Sequence, residues 1–255
     1  MSDVIDRYFE ILIDRLTEIR ARQNAAIERA AEACAASIAA DKLVFSFGTG
    51  HGALPALEMF PRTGTIVGFR PIVESTMISF HRVWGDMGAR QYRFIHAAEG
   101  YGRAILRSHH LDPADSIVLF SHSGVNAVIL DIALGAKEQG LAVIAVTSLP
   151  HSTAAQSRHS SGKRLFEVAD IVIDTRAGLA DASLRIDGLD APVGANSTSI
   201  AIAIAHAIVA ATAEKLVERG VKPLVMVNPN TAGKQAANAA NDRNYDELWR
   251  RLKAR

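Results

Sequence analysis

Short, continuous apolar runs that each end in a glycine- or hydroxyl-rich turn constrain the fold of this chain most strongly. Five such runs predict strands, at residues 43–47, 65–68, 116–120, 142–146 and 171–174. They do not alternate apolar with polar residues, which is typical of parallel strands covered on both faces. Helical segments are predicted at residues 53–60, 100–107, 126–139 and 199–218. This alternation predicts an α/β fold with a doubly wound, flavodoxin-like and mostly parallel five-stranded sheet.

The first 40 residues predict a helical extension ahead of that sheet. Apolar residues recur at three- and four-residue steps from Val4 to Ile19 and again from Ile27 to Ile38. We expect residues 1–40 to serve packing or oligomerisation, 41–220 to form one domain, and 221–255 to form a C-terminal extension. Three polar stretches do not fit the alternation of strands and helices and are predicted as long loops: residues 70–98, 147–164 and 175–198.

Charge, cysteine content and apolar segments exclude several classes of protein. A formal net charge of +1 provides no bulk attraction to nucleic acid or an anionic membrane. The single Cys34 excludes an intrachain disulfide, and no histidine spacing predicts a metal site or another cofactor. The N-terminus lacks signal-peptide character, and the apolar stretch from Ile200 to Val209 is too short to span a bilayer. We therefore expect a cytoplasmic protein with no nucleic-acid or membrane partner.

Two of the turns carry groups suited to binding an anion. The first is Gly48-Thr49-Gly50-His51-Gly52, and the second is Ser121-His122-Ser123-Gly124, followed by Asn126 near the next helix. Serine hydroxyls and the N–H groups of a helix N-terminus supply the convergent donors that a phosphate needs. More hydroxyls are expected at the same sheet edge, from Thr147, Ser148 and Ser197. The alternative for the second turn is an ordinary helix N-cap, where serine is favoured anyway.

The first turn does not match the common nucleotide-binding motifs. The third glycine of G-x-G-x-x-G falls at Ala53, and no acidic residue ends the next strand run. The turn also lacks the Gly-Lys-Ser/Thr ending of a Walker loop. The interpretation that remains is a glycine-rich turn that binds a sugar or its phosphate.

The two turns together with Ala136-Lys137, Gly140 and residues 143–148 resemble the sugar isomerase (SIS) domain family, over roughly residues 30–220. The resemblance implies a flavodoxin-like, phosphosugar-binding homodimer or homotetramer. It is strongest to stand-alone, single-domain SIS proteins, and it extends to phosphoheptose isomerases and N-acetylmuramic acid 6-phosphate etherases. Family members commonly have serine at Gly52 and threonine at Asn126. The second turn is therefore expected to hold the phosphate and the first turn the sugar.

Isomerisation through an enediol and ether cleavage by a lyase both need a base and an acid. The candidates are the carboxylates Glu58 and Glu74 and the imidazoles His206 and His51. Phosphoheptose isomerases carry a glutamate on the helix that corresponds to that of Glu58, about one turn later, and a catalytic histidine on the helix of His206. The resemblance thus implies that Glu58 and His206 act as the acid/base pair. The alternatives are a surface charge for Glu58 and a core histidine for His206.

Two further residues belong to the polar stretches. Lys163 is a candidate to neutralise phosphate from a loop over the pocket, and Glu74 or His81 is a candidate to complete a site shared between subunits. The competing function is a non-catalytic phosphosugar sensor that acts through a protein partner. A nucleotide-binding enzyme fits poorly, because no lysine or acidic residue stands where phosphate and ribose require them.

Overall fold

Helices and strands alternate along the chain in the computed structural model, which describes residues 3–78, 88–231 and 233–254. Their order is α1 (Asp3–Arg22), α2 (Asn24–Ala39), β1 (Val44–Gly48), α3 (Ala53–Glu58), β2 (Phe69–Pro71), α4 (Ser75–Ile78), α5 (Gly88–Ile95), α6 (Tyr101–Arg107), β3 (Ser116–Phe120), α7 (Ala127–Glu138), β4 (Ala142–Thr147), α8 (Leu149–Ala154), α9 (Leu165–Val168), β5 (Ile171–Asp174), β6 (Ala182–Leu184), β7 (Val193–Ala195), α10 (Ser197–Glu218) and α11 (Lys234–Lys253).

Strands β1 to β5 form one parallel sheet in the order β2-β1-β3-β4-β5, which confirms the predicted doubly wound fold. Neighbouring residues of a strand enter opposite cores. Val44 of β1 packs in the core that contains α2 and α10, whereas Phe45 packs in the core that contains α6 and α7. The strand order reverses between β1 and β3. In such sheets, ligands bind beyond the carboxyl ends of the strands at that point.

The prediction of a strand at residues 65–68 was wrong in position, since the second strand is Phe69–Pro71. Residues 65–68 run instead alongside the C-terminal segment. The N–H group of Val67 donates to the carbonyl of Leu224 at 2.9 Å, and that of Met226 donates to the carbonyl of Thr65 at 2.8 Å. Gly68, with φ of +121°, separates this pairing from β2.

Helix α2 packs along α10 in one core of the sheet. Ala30, Ala31 and Cys34 of α2 are fully buried, and the small alanine side chains allow the two helices to approach closely. Helix α10 is longer than the apolar stretch seen in the sequence, and by length and composition alone it is able to cross a membrane. Its Ile200 and Ile204 lie in this core, and 39% of its most apolar 18-residue window is buried inside the fold.

The polar stretches contain more regular structure than the sequence indicated. Residues 147–164 include helix α8, which Ser148 caps by accepting the N–H of His151 at 3.3 Å. Residues 175–198 contain the antiparallel pair β6–β7. Residues 234–253 form the 20-residue helix α11, and the side chains of Asn241 and Asn244 bind the backbone at Val227 and Val225.

Candidate functional site

A cavity of about 210 Å³ opens at the carboxyl ends of β1 and β3, where the strand order reverses. The turn after β1, the turn after β3 and the N-terminus of α10 form its walls. Seven residues predicted from the sequence line it: Thr49, His51, Ser121, His122, Ser123, Asn126 and Ser197. The turn after β1 and the turn after β3, both predicted to bind an anion, therefore line the same cavity.

Three glycines shape the turn after β1. A Cβ atom on Gly48 would lie 2.0 Å from the carbonyl oxygen of Gly52. Gly50 has φ of +58°, and a Cβ atom there would lie 2.6 Å from the hydroxyl of Tyr92. A Cβ atom on Gly52 would lie 2.7 Å from the carbonyl oxygen of Phe120. The serine that the SIS family commonly has at this last position therefore does not fit without a shift of the backbone.

The turn after β3 is closed by its own first serine. The N–H group of Gly124 donates to Oγ of Ser121 at 3.1 Å, so this hydroxyl keeps its proton for donation to a ligand. Gly124 has φ of +63°, and a Cβ atom there would lie 3.0 Å from Oγ of Ser152 and 3.1 Å from Oγ1 of Thr147. Gly124 thus shapes the turn without lining the cavity.

The hydroxyls of Thr147 and Ser148 support the site from behind and do not line the cavity. Oγ1 of Thr147 donates to the carbonyl of His122 at 3.3 Å. Oγ of Ser148 donates to the carbonyl of Ala177 at 2.5 Å. Both hydroxyls bind backbone, so they fix the turn after β3 and the segment after β5.

Residues 156–165 lie against the turn after β3. The N–H groups of Arg158 and Leu165 donate to carbonyls of the turn at 2.9 and 2.8 Å. The guanidinium of Arg158 also donates to Oδ1 of Asn126 at 3.3 Å. Lys163 is exposed and is not among the residues that line the cavity. Arg158 is therefore a cation bound directly to the turn, which the sequence did not single out.

His159 fastens this segment to helix α7. Its Nε2 lies 3.3 Å from Oδ1 of Asp131, and both side chains are buried. The other oxygen of Asp131 accepts the N–H groups of Gly100 and Gly102 at 2.7 and 3.2 Å. One buried carboxylate thus connects the segment, the start of α6 and the helix that begins at the turn.

The N-terminus of α10 already holds an anion from the chain itself. Oδ1 of Asp181 accepts the N–H groups of Asn196 and Ser197 at 3.1 and 2.8 Å, and Asp181 also lines the cavity. Burial raises the pKa of Asp181, but the hydrogen bonds from Ser197 and Asn196 and the nearby His122 outweigh it and hold the pKa below its ordinary value. This carboxylate therefore occupies the site at which Ser197 was predicted to bind phosphate.

His122 lies in the turn after β3 with its ring in the cavity wall. Burial, and secondarily the neighbouring His151, lower the pKa of His122, whereas Asp181 raises it. The rings of His122 and His151 are 4.7 Å apart. Both ring nitrogens of His122 are buried and have no hydrogen-bond partner within residues 3–78, 88–231 and 233–254.

Tyr92 of α5 forms part of the cavity wall beside the turn after β1, where its hydroxyl lies next to Gly50. Its ring stacks on that of His96 at 4.7 Å. Burial raises the pKa of Tyr92, with a hydrogen bond from Thr49 opposing the effect, so the phenol keeps its proton at neutral pH. Neither Tyr92 nor Asp181 was predicted to line the site.

Glu58 and His206 meet each other outside the cavity. Oε2 of Glu58 lies 3.2 Å from Nε2 of His206, and Glu58 also pairs with Arg62. Glu74 accepts the N–H and the hydroxyl of Thr76 at 3.2 and 2.8 Å, at the start of α4, and does not line the cavity. His81 lies outside the described residues.

Metal-ligating side chains are not clustered in the part of the chain that the structure describes, where no three His, Cys, Asp or Glu residues are placed to hold an ion. Cys34 is buried beside α10, and burial raises the pKa of its thiol to about 12. Its thiol therefore stays protonated at neutral pH.

The sequence profile of the family described as SIS domain matches residues 7–148, which is more than half of the chain. The chain belongs to the SIS-domain family. The UPF0309 protein of Brucella anthropi is 35% identical to it over 226 residues, which are 89% of this chain and 90% of that protein. The matched range of the SIS domain ends at β4 and thus includes both turns.

Solved structures show the same fold. A phosphoheptose isomerase from Francisella tularensis aligns with a TM-score of 0.53 and 18% identity, covering 84% of this SIS-domain chain and all of that one. The sugar isomerase domain of the RpiR transcription factor from Sphaerobacter thermophilus aligns with a TM-score of 0.52 and 18% identity, covering 95% of this chain and 99% of that one. At such identities the likeness shows the fold alone.

Proposed function

We propose that this SIS-domain protein binds a sugar phosphate in the cavity between β1 and β3 and acts on it by acid/base proton transfer, as an isomerase or a lyase. One observation carries the proposal: a hydroxyl-rich turn and the N-terminus of α7 face the cavity at the topological switch point of the sheet. The N-terminus of a helix favours a phosphate through its N–H groups and its dipole. The resemblance to phosphosugar isomerases points to the same class of ligand.

The charges in the cavity orient this ligand. Ser121, Ser123 and Asn126 present polar side chains at the start of α7, and Arg158 adds a positive charge next to Asn126. At the other wall, the carboxylate of Asp181 occupies the N-terminus of α10 and repels a phosphate. The phosphate therefore binds at the turn after β3, and the sugar extends towards the turn formed by residues 48–52.

The proposal gives His51 direct contact with the sugar, because it lines the cavity. Glu58 and His206 form an acid/base couple outside the cavity of their own chain. They take part in proton transfer only in a homodimer or homotetramer in which a second copy brings a ligand to them. Glu74 depends on a second copy in the same way. Such an assembly, and a cytoplasmic location, are parts of the proposal.

A sensor that signals through a protein partner is the second candidate. The likeness in fold to the sugar isomerase domain of a transcription factor favours it. It uses the same cavity and the same class of ligand, but it performs no reaction. Turnover therefore separates the two functions.

Two measurements on the whole chain test the proposal. The first is the melting temperature with fructose 6-phosphate, sedoheptulose 7-phosphate and N-acetylglucosamine 6-phosphate, with the unphosphorylated sugars as matched controls. A rise with at least one phosphosugar is expected, because a ligand that binds only the folded state stabilises it. No rise across the panel would contradict phosphosugar binding. The second is deuterium uptake at the carbon next to the carbonyl in deuterated water, which an isomerase catalyses and a sensor does not.

A further inference from the structure

His122 and Asp181 share the cavity wall, and neither was predicted to move a proton. We propose that His122 is the general base of the pocket and that the carboxylate of Asp181 stabilises the imidazolium that forms. The inference rests on the proposed function, because it assigns the first step of the reaction to named side chains of the same cavity.

The backbone of His122 is held firmly beside the predicted phosphate position. Its carbonyl accepts the hydroxyl of Thr147 at 3.3 Å and the N–H of Ser148 at 3.1 Å, both from the end of β4. Its neighbours Ser121 and Ser123 line the same cavity. A phosphosugar anchored by those serines therefore has its carbon chain next to the imidazole.

The ring itself lacks the partners that a structural histidine has. Both nitrogens are buried, and neither forms a hydrogen bond with the part of the chain that the structure describes. A buried polar atom without a partner costs free energy, and such atoms in native proteins are often kept for function. By contrast, Nδ1 of His151 and Nε2 of His159 both bind oxygen atoms of the chain.

The charged and titratable neighbours of His122 decide its protonation state. His151 comes from α8, Asp181 precedes β6, and His51 and Tyr92 line the same cavity from the turn after β1 and from α5. Burial and His151 keep the pKa of His122 below its ordinary value, so the ring is neutral at neutral pH and has a lone pair to accept a proton.

Asp181 supports the base without competing for the proton. Its Oδ1 accepts two N–H groups of α10, and its pKa is held low, so it stays ionised. Its negative charge favours the protonated form of His122. The carboxylate therefore stabilises the charge that the imidazole gains during the reaction.

The resulting step balances in protons and electrons. Both ring nitrogens are buried, so the ring of His122 rotates about its Cβ–Cγ bond to bring one of them to the substrate. The proton on the sugar carbon next to the carbonyl then moves to that nitrogen, and the C–H electron pair forms the carbon–carbon double bond of an enediolate. The carbonyl oxygen takes the negative charge, and the protonated phenol of Tyr92 is the donor in the wall that stabilises it. The hydroxyl proton of the enediolate moves to the former carbonyl oxygen, and return of the carbon proton from His122 to the adjacent carbon completes an isomerisation. In a lyase, the electron pair instead expels the group on the next carbon.

Deuterium uptake tests the assignment, with the phosphosugar of the panel that raises the melting temperature most as the probe. His122→Gln is expected to slow uptake at least about 100-fold, the scale of general-base catalysis, and to change the dissociation constant less than about threefold. The matched control is His110→Gln, an exposed histidine away from the cavity, which is expected to keep the wild-type rate. The second readout is the titration of the His122 ring by NMR. Asp181→Asn is expected to move it to lower pH, which a structural role alone would not do.

The outcomes separate the inference from the proposed function. Uptake by His122→Gln within about threefold of the wild-type rate would overturn the inference and leave the function standing. An unchanged His122 titration in Asp181→Asn would overturn the role of Asp181, whether or not His122→Gln folds. If the wild type binds a phosphosugar but catalyses no deuterium uptake, the protein is a sensor, and the role of His122 as a general base is overturned. Absence of binding would remove the proposed function itself.

Discussion

Nε2 of His206 lies 3.2 Å from Oε2 of Glu58, so two side chains that are 148 residues apart form one hydrogen-bonded pair. The pair joins the end of α3 to the middle of α10, and other residues of both helices, Pro55 and Ala201, line the cavity. Glu58 and His206 themselves do not line it. The structure thus brings together two predicted acid/base residues that do not line the cavity of their own chain.

The pair is expected to contribute little to stability and nothing to phosphosugar binding in the same chain. Its side chains are 29% and 39% exposed, so solvent screens the interaction to less than about 1 kcal/mol. Urea unfolding of Glu58→Gln, His206→Gln and the double variant measures the coupling, and the ligand-induced rise in melting temperature measures binding. Loss of that rise in either single variant would show that the pair contacts a ligand, either in its own cavity or in one that a second copy completes.

A serine at Gly52 is expected to damage the site, although SIS domains commonly have one there. A Cβ atom would lie 2.7 Å from the carbonyl oxygen of Phe120, and overpacking of this kind costs about 1–3 kcal/mol. Gly52→Ser should therefore lower the melting temperature and weaken phosphosugar binding. Gly178→Ala is the matched control, since its Cβ atom would meet its nearest neighbour at 3.8 Å. Tighter binding by Gly52→Ser would show that the turn accepts the side chain.

Stability is expected to fall in mild acid partly through His122. Burial lowers the pKa of this histidine in the folded protein, so the unfolded chain binds more protons and stability rises with pH. The contribution of His122 to the free energy of unfolding is fully present above about pH 6.5, the ordinary pKa of a histidine in the unfolded chain. It is lost as the pH falls from that value towards the lower pKa of the folded protein. Unfolding at about pH 7.5 and about pH 5 should show a smaller loss for His122→Gln than for the wild type. Equal losses would contradict the prediction.

Asp131 is expected to be the most costly carboxylate to remove near the site. Asp131→Ala leaves the N–H groups of Gly100 and of the buried Gly102 without their acceptor and frees His159, at a cost of about 2–3 kcal/mol. Glu138→Ala, which removes an exposed partner of Arg103, should cost less than about 1 kcal/mol. Chemical denaturation compares the two, and similar costs would argue against the role of Asp131.

The sheet and the two turns were predictable because their signals are local. An apolar run, a glycine or serine turn and a helix start follow one another within about 15 residues, and parallel strands bring their carboxyl ends to one edge. Thr49, His51, Ser121 and Ser123 were placed in one site on that basis.

The remaining wall of the cavity depends on tertiary contacts that leave no local pattern. Asp181 reaches the site because its carboxylate binds the start of α10, some 15 residues further along the chain. Tyr92 comes from a stretch without clear periodicity and is placed by packing beside Gly50. The wrong prediction of a sheet strand at residues 65–68 has the same origin. These residues pair with the segment near Leu224, about 157 residues further along the chain, instead of joining the sheet.

The most direct test of the central claim is calorimetric titration of the wild type and Ser123→Ala with a sugar phosphate and its unphosphorylated sugar. The wild type is expected to bind the phosphorylated form alone. Loss of one hydrogen bond to a charged group should weaken binding about 10- to 100-fold in Ser123→Ala. Ser108→Ala, an exposed serine outside the cavity, should bind as the wild type does. Equal affinity of Ser123→Ala and the wild type, or equal affinity for both sugars, would contradict a phosphate site at the turn after β3.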